Sequence, residues 1–312
     1  MATAWAHASG TPPAGTLGDL SWSVRPEVLL PLLAMAGLYA LGHARLSRRA
    51  PRSLGARRPV LVLVGLAALV LALLSPLDGL ADASFAAHMV QHMLLIMVAA
   101  PAFLLADPFP IMIWAWPVAA RLRMRRWITR VSVLGRCWRT ATAMPVAWVV
   151  SACILWGWHV PRAYDAALAS RFMHDLEHVS FFVGAIVFWW PVIHPAPRFR
   201  RAPPYPLRVV YLVLAAFQTA ALGLWLTLAP TLLYRSYAGA SRPGGLGALE
   251  DQMWGGIAMW GLGGLIDMIA VLVLVYRSLL IDHMGAPKWP PTPLTLGAPR
   301  GTRDAPRNTP TA

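Results

Sequence analysis

The chain has 312 residues, 57% of them hydrophobic and 13% charged, with a mean hydropathy of +0.55. Soluble domains carry roughly 25% charged residues, so the composition excludes a disordered chain, a coiled coil and an ordinary soluble enzyme. The 27 basic residues outnumber the 13 acidic ones and give a formal charge of +14. They fall between apolar runs, which points to an anionic lipid leaflet rather than to nucleic acid.

Residues 1–26 form a polar lead containing Gly and Pro. It lacks a basic stretch followed by an apolar one, so no cleaved signal peptide is expected. A helix rises about 1.5 Å per residue and needs about 20 apolar residues to cross a hydrocarbon core of about 30 Å. Runs at 28–46, 59–77, 86–106, 144–160, 172–194, 207–228 and 254–276 predict seven spans. The expected fold is therefore an all-α polytopic membrane protein, with residues 27–284 as its transmembrane domain.

The loop at Arg121–Arg139 mixes arginines with Trp127, Ile128, Val131, Leu134 and Trp138. That spacing predicts an amphipathic helix lying on the membrane surface. Residues 285–312, rich in Pro, Thr and Arg, are expected to be a disordered tail. Alternate loops collect twenty-two of the Arg and Lys residues on one side and five (Arg25, Arg162, Arg171, Arg235 and Arg242) on the other. The positive-inside rule then places the N-terminus outside and the C-terminus, with the interfacial helix, on the cytoplasmic side. The two cysteines, Cys137 and Cys153, form no CxxC and indicate neither a disulfide framework nor a thiolate metal site.

Five histidines fall in one layer of this scheme. His88 and His92 open the third span, His159 closes the fourth, and His174 and His178 open the fifth. All five lie near outer helix ends. His88/His92 and His174/His178 are i, i+4 pairs, so each pair shares a helix face about 6 Å apart along the axis. Two imidazoles at that spacing can share a metal ion. Gln91 and Glu177, three residues after the first histidine of each pair, are candidates to fix a ring tautomer from behind. Met89 and Met93 flank the first pair, and thioether plus imidazole favours copper, especially Cu(I). A lone interfacial histidine is ordinarily a polar anchor and a methionine ordinarily packing. Two pairs and a fifth ring in one layer go beyond that, because imidazoles in lipid need partners.

Other polar groups sit at or within the spans. Asp78 and Asp251 lie close enough to span ends to line a cavity shared with the histidines. Asp267 falls near the middle of the seventh span, with Gln218 at similar depth in the sixth. The structural expectation is a protonated Asp267 hydrogen-bonded to Gln218; the functional one is a proton relay or a transient ion site.

Ser-Pro-Leu-Asp at 75–78, His-Met-Val-Gln-His-Met-Leu-Leu at 88–95, Ala-Pro at 100–101 and Asp-Pro-Phe-Pro at 107–110 occur in that order. Trp-His-Val-Pro at 158–161, Tyr-Asp-Ala-Ala-Leu at 164–168, His-Asp-Leu-Glu-His at 174–178 and Phe-Trp-Trp-Pro-Val at 188–192 follow. Asp-Gln-Met-Trp-Gly-Gly at 251–256 and Met-Trp at 259–260 close the series. The chain resembles the CtaG-type assembly factors of caa(3)-type cytochrome c oxidase over about residues 28–280. The resemblance implies a multi-span protein of the bacterial cytoplasmic membrane that serves maturation of a haem–copper oxidase, with oxidase subunits as partners. Copper delivery through the five histidines follows from that context and the ligand chemistry together.

Three other readings of the same residues stand beside it. A haem-binding electron carrier would use one histidine from each of two facing helices. A membrane metallohydrolase, with zinc, would use three ligands, a water and Glu177 or Asp175 as base. A copper or proton transporter would lean on Asp267 and Gln218.

Overall fold

In a computed structural model, the structure describes residues 22–49, 55–127, 132–240 and 242–283. The expected tail at 285–312, and the lead as far as residue 21, lie outside the described residues. Among the described residues the regular structure is entirely helical. The helices are α1 (Pro26–Arg49), α2 (Arg57–Leu73), α3 (Pro76–Ala81), α4 (Phe85–Met93), α5 (Ala100–Ala106) and α6 (Phe109–Met112). They continue as α7 (Val118–Trp127), α8 (Val133–Ala141), α9 (Met144–Trp158), α10 (Pro161–Ala169), α11 (Arg171–Ile193), α12 (Tyr205–Leu228) and α13 (Ala248–His283).

Five of these are long and apolar enough to cross a membrane: α1, the continuous rod Phe85–Ala106, α11, α12 and α13. A sixth is added if α8 and α9, which meet at a bend of 72°, form one broken span. Pro145 sits in the first turn of α9, where it lacks an N–H and its ring would clash with the carbonyl of Ala141, the last residue of α8, so one continuous helix cannot run through the break. The remaining apolar run forms α2, whose 17 residues reach about 25 Å. The large apolar residues these helices leave exposed, among them Leu30, Phe217, Leu228 and Leu272, suit a lipid environment. The stretch expected as a single interfacial helix is divided between α7 and α8, with residues 128–131 outside the described residues.

Two local features position the site. The first is the entry of α4. Ser84 caps it by accepting a hydrogen bond from the Ala87 N–H at 3.2 Å, while Asp251, from the first turn of α13, accepts from the Phe85 N–H at 2.6 Å and from the Ser84 hydroxyl at 2.6 Å. A carboxylate at a helix N-terminus meets both the unpaired N–H groups and the positive end of the dipole. Arg242 neutralises it at 3.3 Å. The start of α4 is thereby tied to the start of α13, and the two helices enter the layer together.

The second is a π-helical stretch, Leu94–Ala99, between α4 and α5. The Ala100 N–H donates to Leu95 O, five residues back. The next donor in that register would be residue 101, a proline without an N–H. The Ile96 carbonyl it leaves free accepts instead from the Trp189 indole of α11 at 3.1 Å. This bond fixes the rotation of α4 against α11, the two helices that carry the histidine pairs. On the other side α13 lies against α12 with almost no separation. A Cβ added at Gly256 would stand 2.5 Å from Gly223 O, so only glycine fits there.

Candidate metal centre

Four imidazoles and one carboxylate from α4 and α11 converge in a buried cluster. His88, His92 and His178 each present a ligand atom within 4.8 Å of the others, and so do His88, His174 and Glu177. Ring centroids are 4.4 Å apart within the His88/His92 pair and 4.3 Å within His174/His178. Across the helices His88 meets His174 at 5.1 Å and His92 meets His178 at 5.3 Å. The two i, i+4 stripes therefore face each other across the space between α4 and α11.

Glu177 occupies the centre. Its residue is 0% exposed, with one carboxylate oxygen 3.7 Å from His88 Nε2 and the other 3.7 Å from His92 Nε2. Neither oxygen has a hydrogen-bond partner, and neither do His88 Nε2, His174 Nε2 or either nitrogen of His92 and His178. A buried polar atom left unpaired costs about 1–3 kcal/mol. One nitrogen of each neutral imidazole carries a proton, so a cation would take the lone pair of the other nitrogen and those of the carboxylate; imidazole with carboxylate is a donor set for zinc or copper.

The proton arrangement favours this use. His88 Nδ1 lies 2.6 Å from the Tyr164 hydroxyl and 3.1 Å from that of Tyr237. The two hydroxyls are 3.1 Å apart, and Tyr237 donates to Ala81 O at 2.9 Å. A carbonyl can only accept, so the Tyr237 proton goes to Ala81 O, and one arrangement of the remaining protons makes every contact in the chain a hydrogen bond. His88 Nδ1–H donates to Tyr164, Tyr164 to Tyr237, and Tyr237 to the carbonyl; we assign the tautomer on this basis. The lone pair of His88 is left on Nε2, facing Glu177. Burial raises the pKa of both Tyr164 and Tyr237 above that of an ordinary phenol, so both remain donors at neutral pH. His159 is fixed in the same sense. Its Nδ1–H donates to Leu155 O at 2.7 Å, leaving Nε2 without a partner.

The other expected residues are distributed differently. His159 stands at the edge of the cluster, its ring centroid 6.4 Å from Tyr164 and 6.3 Å from Phe181, outside both ligand triads. Glu177, expected behind a ring, is inside the cluster as a donor in its own right. Gln91 turns away and donates to Ala72 O at 2.6 Å and Asp78 at 2.9 Å, joining α4 to the α2–α3 corner. Asp251 caps α4 and pairs with Arg242, so it holds the helix that carries His88 and His92. Met89 packs with Phe85 against Gly255 of α13, and Met93 faces the same helix at Gly263. The thioethers thus turn toward α13 and not into the ring cluster, because a one-residue step turns a side chain by 100°. Asp267 and Gln218 line one cavity deeper in the bundle, and among the described residues no hydrogen bond joins them.

Three participants escaped the reading of spacing alone. Tyr164 and Tyr237 lie on α10 and in the α12–α13 connection, where a buried tyrosine leaves no periodic signal. Arg25, just before α1, pairs with Asp175 and Glu27 and lies 3.6 Å from Asp78. It ties the first helix to the outer rim of the cluster.

The sequence model of a family described as cytochrome c oxidase caa3 assembly factor matches residues 37–279. Two curated relatives are uncharacterized proteins, Mb0105 of Mycobacterium bovis and MT0111 of Mycobacterium tuberculosis. Each is 28% identical over 242 residues, covering 76% of this chain and 36% of the relative. The chain thus spans about a third of the length of these relatives. No solved structure matches it.

Proposed function

Since the chain belongs to the cytochrome c oxidase caa3 assembly factor family, we propose that it is a non-enzymatic assembly factor that binds copper in the histidine cluster and hands it to an oxidase subunit. The observation that carries this reading is the set of eight buried, unpaired nitrogen and oxygen atoms on His88, His92, His174, His178 and Glu177. Copper is the cargo, with the His88, His92 and His178 nitrogens as its primary donors and the His174 and Glu177 atoms beside them. A site made only of imidazole and carboxylate, without thiolate, suits a protein that must release its ion.

The topology belongs to the same proposal. Seven spans, with α2 and α9 as the short ones, place the N-terminus outside and the C-terminus in the cytoplasm of a bacterial inner membrane. The distribution of arginines supports that orientation. The cluster then lies near the extracytoplasmic face, and α7 and α8 rest on the cytoplasmic one.

Haem fits the geometry less well. The imidazoles meet ring to ring at 4.3 to 5.8 Å, with no slot for a macrocycle between them. A hydrolase with Asp175 as base is disfavoured because Arg25 already engages that carboxylate.

The test is metal analysis of the purified full-length protein under reducing conditions. The wild type is expected to retain copper, and a variant with His88, His92, His174 and His178 all changed to Ala is expected to lose the ion held by the cluster, with its imidazole scattering. Full retention by that variant overturns the assignment. Zinc in place of copper reassigns the cargo, and a Soret band revives the haem reading.

A further inference from the structure

A second polar compartment lies deeper in the bundle. A cavity of about 60 Å³ opens where the π-helical stretch, α9, α11, α12 and α13 meet. One water needs about 10–15 Å³ of such space, so an ion with its ligands fits. The walls are apolar except for Asp267, Gln218, Thr219 and Ser151, and Met93 and Met97 reach into the lining. Asp267 is 2% exposed and its Oδ1 has no hydrogen-bond partner. An ionised carboxylate in hydrocarbon is costly unless a cation stands beside it.

The methionines are placed to contribute. Gly263 precedes Asp267 by one turn on the same face of α13. A Cβ added at Gly263 would lie 3.7 Å from Met93 Sδ and 3.6 Å from Met97 Cε. The two side chains therefore stand against α13 one turn from Asp267, in the lining of the same cavity. Between this compartment and the histidine cluster stands Phe181. Its ring lines the cavity and sits 4.5 Å, centroid to centroid, from His92. Met97 follows His92 by five residues, about 7 Å further into the membrane.

We propose that this cavity is a second site for a soft monovalent cation, Cu(I), bound by the Asp267 carboxylate with thioether donors from Met93 and Met97. Phe181 is the apolar partition between it and the histidine cluster. Thioethers select Cu(I) over harder cations, and the single negative charge of Asp267 balances the single positive charge of the ion. The inference rests on the reading of the chain as a copper-handling protein, and it adds a position inside the membrane to the one at its outer face.

Ag(I), a redox-silent stand-in for Cu(I), tests it on the full-length protein in detergent, by binding stoichiometry and by X-ray absorption fine structure. The wild type is expected to take up two ions. His88→Ala with His178→Ala removes one ion, and the ion that remains shows sulfur neighbours. Asp267→Asn with Met97→Leu also removes one ion, and the remaining one shows none. Met97→Leu alone, a substitution that keeps the volume, lowers the sulfur signal even if the double variant fails to fold. Wild-type stoichiometry in the Asp267→Asn, Met97→Leu variant overturns the inference, as does a residual ion without sulfur in the histidine variant. If the histidine variant keeps both ions and the Asp267 variant loses one, the deeper site stands and the histidine assignment falls.

Discussion

The Tyr164 hydroxyl lies 2.6 Å from Nδ1 of His88 and passes its own proton toward Tyr237 and the Ala81 carbonyl. This arrangement commits Nε2 of His88 to the cluster. Groups that fix the tautomer of a ligating histidine typically contribute 10–100-fold in metal affinity. Tyr164→Phe is therefore expected to weaken copper binding about tenfold or more, measured by competition with a chelator. The melting temperature should fall only modestly, since the ring still packs on Phe85 and Tyr234. Unchanged affinity would show that the proton on His88 is set elsewhere.

Asp251 links the entries of α4 and α13. Asp251→Ala removes the acceptor of the Ser84 hydroxyl and the Phe85 N–H and leaves the Arg242 guanidinium without its buried carboxylate. Breaking one side of a buried pair costs about 3–5 kcal/mol. Thermal unfolding in detergent is expected to show a large drop in melting temperature. Asp251→Asn, which keeps an acceptor for the helix but not the charge, should fall between it and wild type.

Gly256 and Gly261 give a matched comparison within α13. A Cβ at Gly256 would collide with Gly223 O and with Thr227, whereas one at Gly261 meets nothing within 4 Å. Gly256→Ala is expected to push α12 and α13 apart at a cost of about 1–3 kcal/mol. Gly261→Ala should be neutral or slightly stabilising, as alanine is the better helix former. Equal stability of the two variants would contradict the close approach of these helices.

Much of the helical scaffold was legible because hydrocarbon thickness sets a length that apolar runs must match. The two histidine pairs were legible for a related reason, since an i, i+4 repeat survives any packing of the helices that carry it. What spacing could not supply was the rotation of α4 about its axis. The π-helical stretch and the Trp189 bond to Ile96 aim His88 and His92 at α11, and Met89 and Met93 then turn toward α13. Met89 thus packs at Gly255 and Met93 lines the deeper cavity. Glu177 was visible as a neighbour of the pair, but its place between two rings depends on the pairing of α4 with α11. Tyr164 and Tyr237 come from outside the long helices, where no period marks a buried side chain. Seven apolar runs were evident, yet five form helices long and apolar enough by themselves, since α2 has 17 residues and α9 has 15.

The most direct test of the account is the copper X-ray absorption fine structure of the full-length protein, loaded until the outer site is filled. The account predicts the multiple-scattering pattern of at least three imidazoles around the ion, matching the His88, His92 and His178 triad. A spectrum without imidazole scattering, or one unaltered by replacing both His88 and His178 with Ala, would contradict it.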